Sequence, residues 1–465
     1  MGILLTDNFV GLISNFMPGS LIKTLLFRSA FIFFVLYIFF NPNGFFPYSD
    51  EAYNVYIIPF HQLIAWTGRH ILHLPYPITT FTNGSGDTSY DYLMLALTVL
   101  LTLVGAGIWT IIDLSRPGFP GRGAAEFTGD LWTETPDDTP LRYWLIALVR
   151  YYLAFTLFNY GFAKVFRLQF PSPGPYSLFT SYGQSSPMHL AWNFFGYSPR
   201  YNYFTGMAEI VSGALLLFRR TLRLGAILSL AVAANIMAVN YCFDVCVKLL
   251  STILVIMAIF LLWQERRRHL HFFFPDKYND YKSTLRALPP PLTPPVFMRG
   301  WVNKSLVYLK YLLILFVLYM NIANSVKAAR LYGPSALRPP LYGAYDVKTY
   351  ILNNDTLAPL TTDTTRWRKL LVWTTSRAAI KGMNDSVKIF VSAVDTVKKK
   401  LVLYPKSDTA KKSWLHYRFI GEDSLVLQGK WKNDSVLITL KKLDTDSLLL
   451  VRRGFHFINE VPFNR

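Results

Sequence analysis

Residues 92–112 read YLMLALTVLLTLVGAGIWTII, a stretch of 21 residues without Asp, Glu, Lys or Arg. A helix that crosses the hydrocarbon core of a bilayer needs about 20 mostly apolar residues. Lipid offers no hydrogen-bond partner to an exposed backbone, so a single segment of this kind spans a membrane as a helix. This stretch therefore predicts a transmembrane helix and makes the chain an integral membrane protein.

Six further stretches share this apolar character, and 52% of the 465 residues are hydrophobic. One soluble core cannot absorb so much apolar surface. We therefore predict an all-α polytopic membrane helix bundle of about seven transmembrane helices between residues 22 and 323. The predicted spans are residues 22–40, 92–112, 143–165, 203–218, 224–241, 245–263 and 305–323.

Two other apolar stretches are predicted to lie on the membrane surface. Residues 1–21 form an amphipathic interfacial helix, because apolar side chains recur there at helical spacing. These side chains are Phe9, Leu12, Ile13, Phe16 and Met17. Residues 53–74 are predicted to be a second interfacial helix, because Pro59, Arg69 and three histidines interrupt the apolar run.

Basic residues collect in alternate loops, and this predicts the orientation. The positive-inside rule places such loops in the cytoplasm, so the N-terminus is predicted to be cytoplasmic and the C-terminal domain extracytoplasmic. The loop residues are Arg116, Arg122, Arg142, Arg219, Arg220, Arg223, Arg266, Arg267, Arg268, Lys277, Lys282, Arg286 and Arg299. The membrane accounts for part of the net charge of +19. The lipid bilayer is therefore the predicted partner, and nucleic acid is not expected.

The composition changes after the last predicted span. Residues 324–345 are predicted to be a linker, and residues 346–465 an extracytoplasmic β-rich domain. Short β-prone runs separated by polar turns predict an antiparallel meander that forms a barrel or a sandwich. The predicted strands are residues 369–374, 387–394, 399–404, 414–420, 424–431, 436–440 and 447–451.

Ionisable and polar residues inside or beside the predicted spans are the candidate ligand-pocket residues, because charge is expensive in a membrane. These residues are Arg150, Lys164, Glu209, Asn240, Asp244 and Lys248. Counting residues along the helices places Lys164, Glu209, Asp244 and Lys248 near the outer ends, so we predict that they line one outward-facing cavity. The alternative is that paired charges lock the helices together or extend to the interface.

No residue pattern predicts a metal site or names a cofactor, and no catalytic residue is identified. Cys242 and Cys246 stand four residues apart, which indicates buried structural thiols rather than a redox pair. The histidines His61, His70 and His73 are interpreted as a polar edge of the interfacial helix. Nucleotide-binding and hydrolase motifs are not found in the sequence.

Residues 142–263 carry short motifs that resemble the DoxX-like family of four-helix inner-membrane proteins. The motifs are Arg150 followed by FNYGFAK at residues 158–164, MAEIVSGALLL at 207–217 and RLGA at 223–226. The resemblance implies a bacterial inner-membrane protein attached to redox or sulfur metabolism. It leads us to expect a lipid-soluble ligand such as quinone, or a redox partner protein.

Two alternatives stay open at this stage, as does the question whether the chain is an enzyme. In the first, the chain is a non-enzymatic envelope or assembly protein whose β domain binds a lipid or a protein. In the second, it is a membrane enzyme, because NYCFDVCVKLL at residues 240–250 resembles a segment of proteins related to vitamin K-dependent carboxylases.

Overall fold

The computed structural model describes residues 19–81, 83–115, 139–264 and 300–464. The chain divides into a helical unit, residues 1–169 with 200–327, and a second unit, residues 170–199 with 328–465. Nearly all of the predicted N-terminal interfacial helix, and the basic loops at 116–138 and 265–299, lie outside the described residues.

The helical unit contains most of the helices, and their bounds follow the apolar runs closely. They are α1 Gly19–Phe40, α2 Ser49–Tyr56, α3 Ile58–His70, α4 Ser89–Leu114, α5 Thr139–Val165, α8 Pro199–Leu216, α9 Leu222–Cys242, α10 Lys248–Gln264 and α11 Gly300–Leu331. The second unit holds α6 Pro175–Phe179, α7 Pro187–Tyr197 and α12 Leu449–Arg452.

Four of the described helices are long and apolar enough to cross a membrane, namely Ser89–Leu114, Pro140–Val165, Leu222–Cys242 and Gly300–Leu331. Thr24–Phe40 and Lys248–Trp263 are apolar but shorter. The stretch 203–218 lies in α8, whose glycines and polar residues lower its hydropathy. Four candidate spans are thus supported, and the total of seven stays a prediction.

Helix α5 lies at the centre of the helical unit. In the most apolar 18 residues of α5, 61% of the residues are buried, against 22% in α4 and 11% in α11. Tyr152, Leu153, Phe155 and Phe158 from this helix form the middle of the main hydrophobic cluster. Because α5 is buried on most sides, its polar side chains also face the protein interior. Buried charge is therefore expected on this helix.

The C-terminal sheet is a closed antiparallel barrel, which decides between the two predicted architectures. Its strands are β1 Gly343–Leu352, β2 Asp355–Thr356, β3 Trp367–Thr374, β4 Arg377–Gly382, β5 Val387–Asp395, β6 Lys400–Tyr404, β7 Ser413–Ile420, β8 Ser424–Trp431 and β9 Asp434–Lys442. Each strand from β3 to β9 pairs with the next, β1 pairs with both β3 and β9, and β2 only extends β1. The ring therefore has eight strands and no open edge.

Side chains fill the barrel, as expected for a ring of eight strands. Trp367 and Trp431 meet edge to face there, with ring centroids 4.8 Å apart. Tyr350, Leu427 and Ile438 are completely buried beside them.

Three details of the predicted β domain need correction. The run at 447–451 is not a strand and instead overlaps the short helix α12, because β1 and β9 already close the ring and leave no edge to extend. Strands β1 and β4 were not predicted, since β1 follows two prolines and β4 is rich in Ala. Helix α11 continues to Leu331 and β1 begins at Gly343, so the connection is shorter than the predicted linker 324–345.

Residues 170–199 pack on the outside of the barrel, a contact that the sequence analysis did not anticipate. Tyr176 and Phe179 of α6 cover Ala344, Leu371 and Ala379 on the outer face of β1, β3 and β4. The small alanines leave room for the two aromatic rings. This segment separates α5 from α8 in sequence, so the second unit is built from two distant parts of the chain.

Candidate functional site

Helices α5 and α8 approach each other closely through two glycines. A Cβ atom placed on Gly206 would lie 2.7 Å from the carbonyl oxygen of Gly161, and one on Gly161 would lie 2.9 Å from the carbonyl oxygen of Gly206. Small residues allow backbones to pack in this way inside membranes. Each glycine is followed three residues later by a charged residue, Lys164 or Glu209, so the crossing brings these two side chains together.

Lys164 and Glu209 form a buried ion pair. The Lys164 Nζ donates to Oε1 of Glu209 over 2.6 Å, and the side chains are only 7% and 1% exposed. The second carboxylate oxygen of Glu209, Oε2, is buried and accepts no hydrogen bond from the described residues. The ring of Tyr160 lies 5.9 Å from the Lys164 ammonium. The site thus offers a buried cation, an aromatic ring and one unused acceptor.

Asp244 and Lys248 form the second predicted pair, in a different setting. Their side chains are 2.8 Å apart, but that of Asp244 is 81% exposed. Asp244 follows the end of α9 with a φ of 50°, so the pair spans a turn rather than a helical face. Asn240 donates from Nδ2 to the carbonyl oxygen of Val247 across the same turn, over 3.3 Å.

Asp87 explains much of this second group, and the sequence analysis missed it. Its carboxylate accepts hydrogen bonds from the backbone N–H groups of Lys248 and Leu249, over 2.7 and 2.9 Å. These are the first N–H groups of α10, which have no partner within the helix. Asp87 therefore caps α10 and also lies 3.8 Å from the Lys248 Nζ. This arrangement serves the connection between α9 and α10.

Arg150 lies apart from both pairs. It precedes Lys164 on α5 by about 21 Å along the helix axis, at 1.5 Å per residue. The side chain is 6% exposed, and its guanidinium lies 5.0 Å from the centre of the Tyr151 ring. The six predicted pocket residues thus form one buried pair, one turn with Asp87, and one separate arginine. A single cavity that joins the two pairs stays a prediction.

Comparison with known proteins gives one informative match. No family model matches the chain, and no solved structure matches it. The uncharacterised protein YwoB of Bacillus subtilis (strain 168) is 43% identical over 127 residues, which are 27% of this chain and 80% of YwoB. The chain belongs to the YwoB family. Because YwoB is itself uncharacterised, membership brings no activity with it.

A second buried ion pair of this YwoB-family chain, between Arg28 and Asp113, was also missed. Arg28 of α1 is almost completely buried, and its Nη2 donates to Oδ2 of Asp113 at the end of α4, over 2.5 Å. Its Nη1 donates to the hydroxyl of Thr110 over 3.3 Å. The signal was available, because Arg28 interrupts the first predicted span and Asp113 directly follows the second. This pair joins α1 to α4.

The cysteines of this YwoB-family chain are not the buried thiols that were predicted. Cys242 is exposed and Cys246 is partly exposed, because both flank the turn after α9. His61 packs against the ring of Tyr90, with centroids 5.1 Å apart. In the described ranges, no three His, Cys, Asp or Glu residues lie close enough to hold a metal ion.

Proposed function

We propose that this YwoB-family protein binds a lipid-soluble ligand, a quinone or its quinol, at the Lys164–Glu209 pair. The observation that carries the proposal is the Oε2 atom of Glu209, which is buried without a donor in the described part of the chain. A buried acceptor without a partner is costly, and a ligand hydroxyl would remove that cost.

The chemistry of the pair suits both forms of such a ligand. A quinol hydroxyl can donate to the free Oε2 of Glu209, and a quinone carbonyl can accept from the ammonium of Lys164. The ring of Tyr160 supplies an aromatic surface beside the ammonium. Ionisable residues inside a bundle commonly mark ligand or proton sites. The DoxX-like resemblance over residues 142–263 supports the same ligand class, or a redox partner protein.

The proposed location is a bacterial inner membrane. The apolar helices are compatible with insertion, and we propose seven spans with a cytoplasmic N-terminus and an extracytoplasmic barrel. The basic loops support this orientation through the positive-inside rule.

The test is the quinone content of protein purified in mild detergent. The wild type is expected to co-purify with quinone, which solvent extraction and chromatography would detect. A double variant, Lys164→Met with Glu209→Met, removes the pair without leaving a lone charge and should contain none. Asp244→Asn is the matched control, because it removes a carboxylate from the exposed pair. Equal quinone in the wild type and the double variant would rule out this site.

A second candidate function is the non-enzymatic envelope or assembly protein. Side chains fill the interior of the barrel, so only its outer surface can contact a partner. This favours the second candidate. Loss of cellular function on removing residues 343–464, with function retained in the Lys164→Met, Glu209→Met variant, would favour this candidate over ligand binding. The carboxylase-like alternative rests on residues 240–250, which here comprise the end of α9, the turn that follows it and the start of α10.

A further inference from the structure

Three basic side chains gather in the part of the helical unit that contains the first halves of α5 and α11. Arg150 lies eleven residues into α5 and Lys310 ten residues into α11, while Arg219 follows the end of α8. Lys310 is within electrostatic range of both arginines, and both repel it. The three cations therefore come from three elements and face one region.

Aromatic rings surround this group. The guanidinium of Arg219 lies 5.0 Å from the centre of the Tyr143 ring, and the Lys310 ammonium lies 5.4 Å from that of Phe218. Arg150 lies 5.0 Å from the ring of Tyr151. Such cation–π contacts offset only part of the cost of grouping and burying the charges.

In the described ranges, no carboxylate forms an ion pair with any of the three cations. The Nε of Arg150 is buried and has no hydrogen-bond partner there, although the side chain is only 6% exposed. The two other buried cations in the described part of the bundle differ, because Arg28 bonds Asp113 and Lys164 bonds Glu209. Three like charges held together with a buried, unused donor require a negative partner.

We propose that Arg150, Arg219 and Lys310 form a binding site for the phosphate group of an anionic phospholipid. Arginine presents a planar fork of donors that matches phosphate oxygens, and lysine adds a third positive charge. Basic pockets between transmembrane helices at the cytoplasmic side bind lipid headgroups in this way. Arg219 is exposed and Lys310 is half-buried, so the group is open at the surface of the bundle, with Arg150 at its inner wall.

The positions of these side chains along their helices indicate that the bound phosphate belongs to a lipid. Arg150 lies about 16 Å along α5 from its start and Lys310 about 15 Å along α11, at 1.5 Å per residue. A phospholipid whose headgroup is bound at this depth has its acyl chains beside α11. Among the four candidate spans, α11 has the least buried apolar stretch, at 11%. The site is independent of the Lys164–Glu209 pair and of any quinone.

The test uses the full-length protein in detergent, with phosphatidylglycerol or phosphatidylcholine added, followed by native mass spectrometry. The wild type is expected to retain phosphatidylglycerol in preference to phosphatidylcholine, whose choline cation the site repels. Arg219→Gln and Lys310→Gln should each reduce that retention about tenfold, because each removes a charge-assisted contact. Lys304→Gln is the control, since Lys304 is an exposed lysine of the same helix.

A second arm distinguishes the lipid from soluble phosphate. Inorganic phosphate at constant ionic strength should raise the melting temperature of the wild type less than phosphatidylglycerol does. If phosphate and phosphatidylglycerol raise the melting temperature equally, and both variants lose this rise, the site binds phosphate but the lipid source is overturned. Equal retention of both lipids by the wild type, or undiminished retention in both variants, would overturn the site. These two variants lie outside the buried core and avoid the folding risk of replacing Arg150.

Discussion

At the scale of single residues, the structure identifies the partner of Glu209. The sequence placed Glu209, Lys164, Asp244 and Lys248 at one level, because counting residues gives the depth along a helix. It did not give the direction in which each side chain points around the helix axis. The structure shows that Glu209 pairs with Lys164, whereas Lys248 serves the turn with Asp244 and Asp87.

This pairing makes a prediction about stability. Glu209→Gln leaves the Lys164 ammonium buried without its carboxylate, which should cost about 3–5 kcal/mol. Adding Lys164→Met should recover most of the lost thermal stability, since no lone charge then remains. Adding Lys248→Met instead should recover nothing. Thermal unfolding in detergent measures all three, and rescue by Lys248→Met would contradict the observed pairing.

A second residue-scale prediction concerns pH and the barrel. Burial alone would raise the pKa of Asp346, but hydrogen bonds from Lys369 and Lys348, each 2.9 Å long, hold it below its ordinary value of 3.8. The unfolded chain therefore binds more protons in acid, so stability is present above that value and falls as pH drops toward the lowered pKa. Asp346→Asn should reduce this acid sensitivity of the barrel. Identical melting curves for the wild type and the variant from pH 3 to 6 would contradict it.

At the scale of elements, the close crossing of α5 and α8 brings Lys164 and Glu209 together. Gly206→Ala places a methyl group 2.7 Å from a backbone oxygen of α5, which cannot move without shifting the helix. We expect a loss of about 1–3 kcal/mol, typical of overpacking. Gly107 of α4 is the matched control, because a Cβ there meets nothing within 4 Å. Gly107→Ala should be neutral or gain up to about 1 kcal/mol from helix propensity. Thermal unfolding of both variants checks the contrast.

The elements themselves could be read from the sequence where the pattern is local. Alternation and turn residues located β5 to β9, since each strand pairs with its neighbour in the chain. The pairing of β1 with β9 joins residues far apart, so no local pattern reveals it. That closure explains why residues 447–451, although apolar, had no strand to join.

The second unit shows the limit of sequence reading at the scale of the whole molecule. Nothing local in residues 170–199 indicates that they belong with the barrel, because the contact partners lie over 150 residues away in the chain. Only the alanines Ala344 and Ala379 hint at a covered face, and small residues have many other causes. The two-part unit therefore had to be seen in the structure.

This packing predicts a loss of barrel stability on changing α6. The ring of Tyr176 stacks on Trp373 with centroids 4.8 Å apart. Tyr176→Ala should cost about 2–4 kcal/mol, from lost apolar burial and the ring contact. Tyr182→Ala is the control, because Tyr182 belongs to the same segment and is 80% exposed. Proteolysis of the barrel strands at rising temperature measures the effect, and equal resistance of both variants would contradict the packing.

We propose that Glu209 accepts a hydrogen bond from a ligand hydroxyl inside the membrane bundle. A structure of the protein in lipid nanodiscs with added quinol, determined by electron cryomicroscopy, tests it most directly. We expect ligand density within hydrogen-bond distance of the Glu209 Oε2, with the Lys164 contact retained. Density that shows Oε2 bonded to a protein side chain, with no ligand beside α5 and α8, would contradict it.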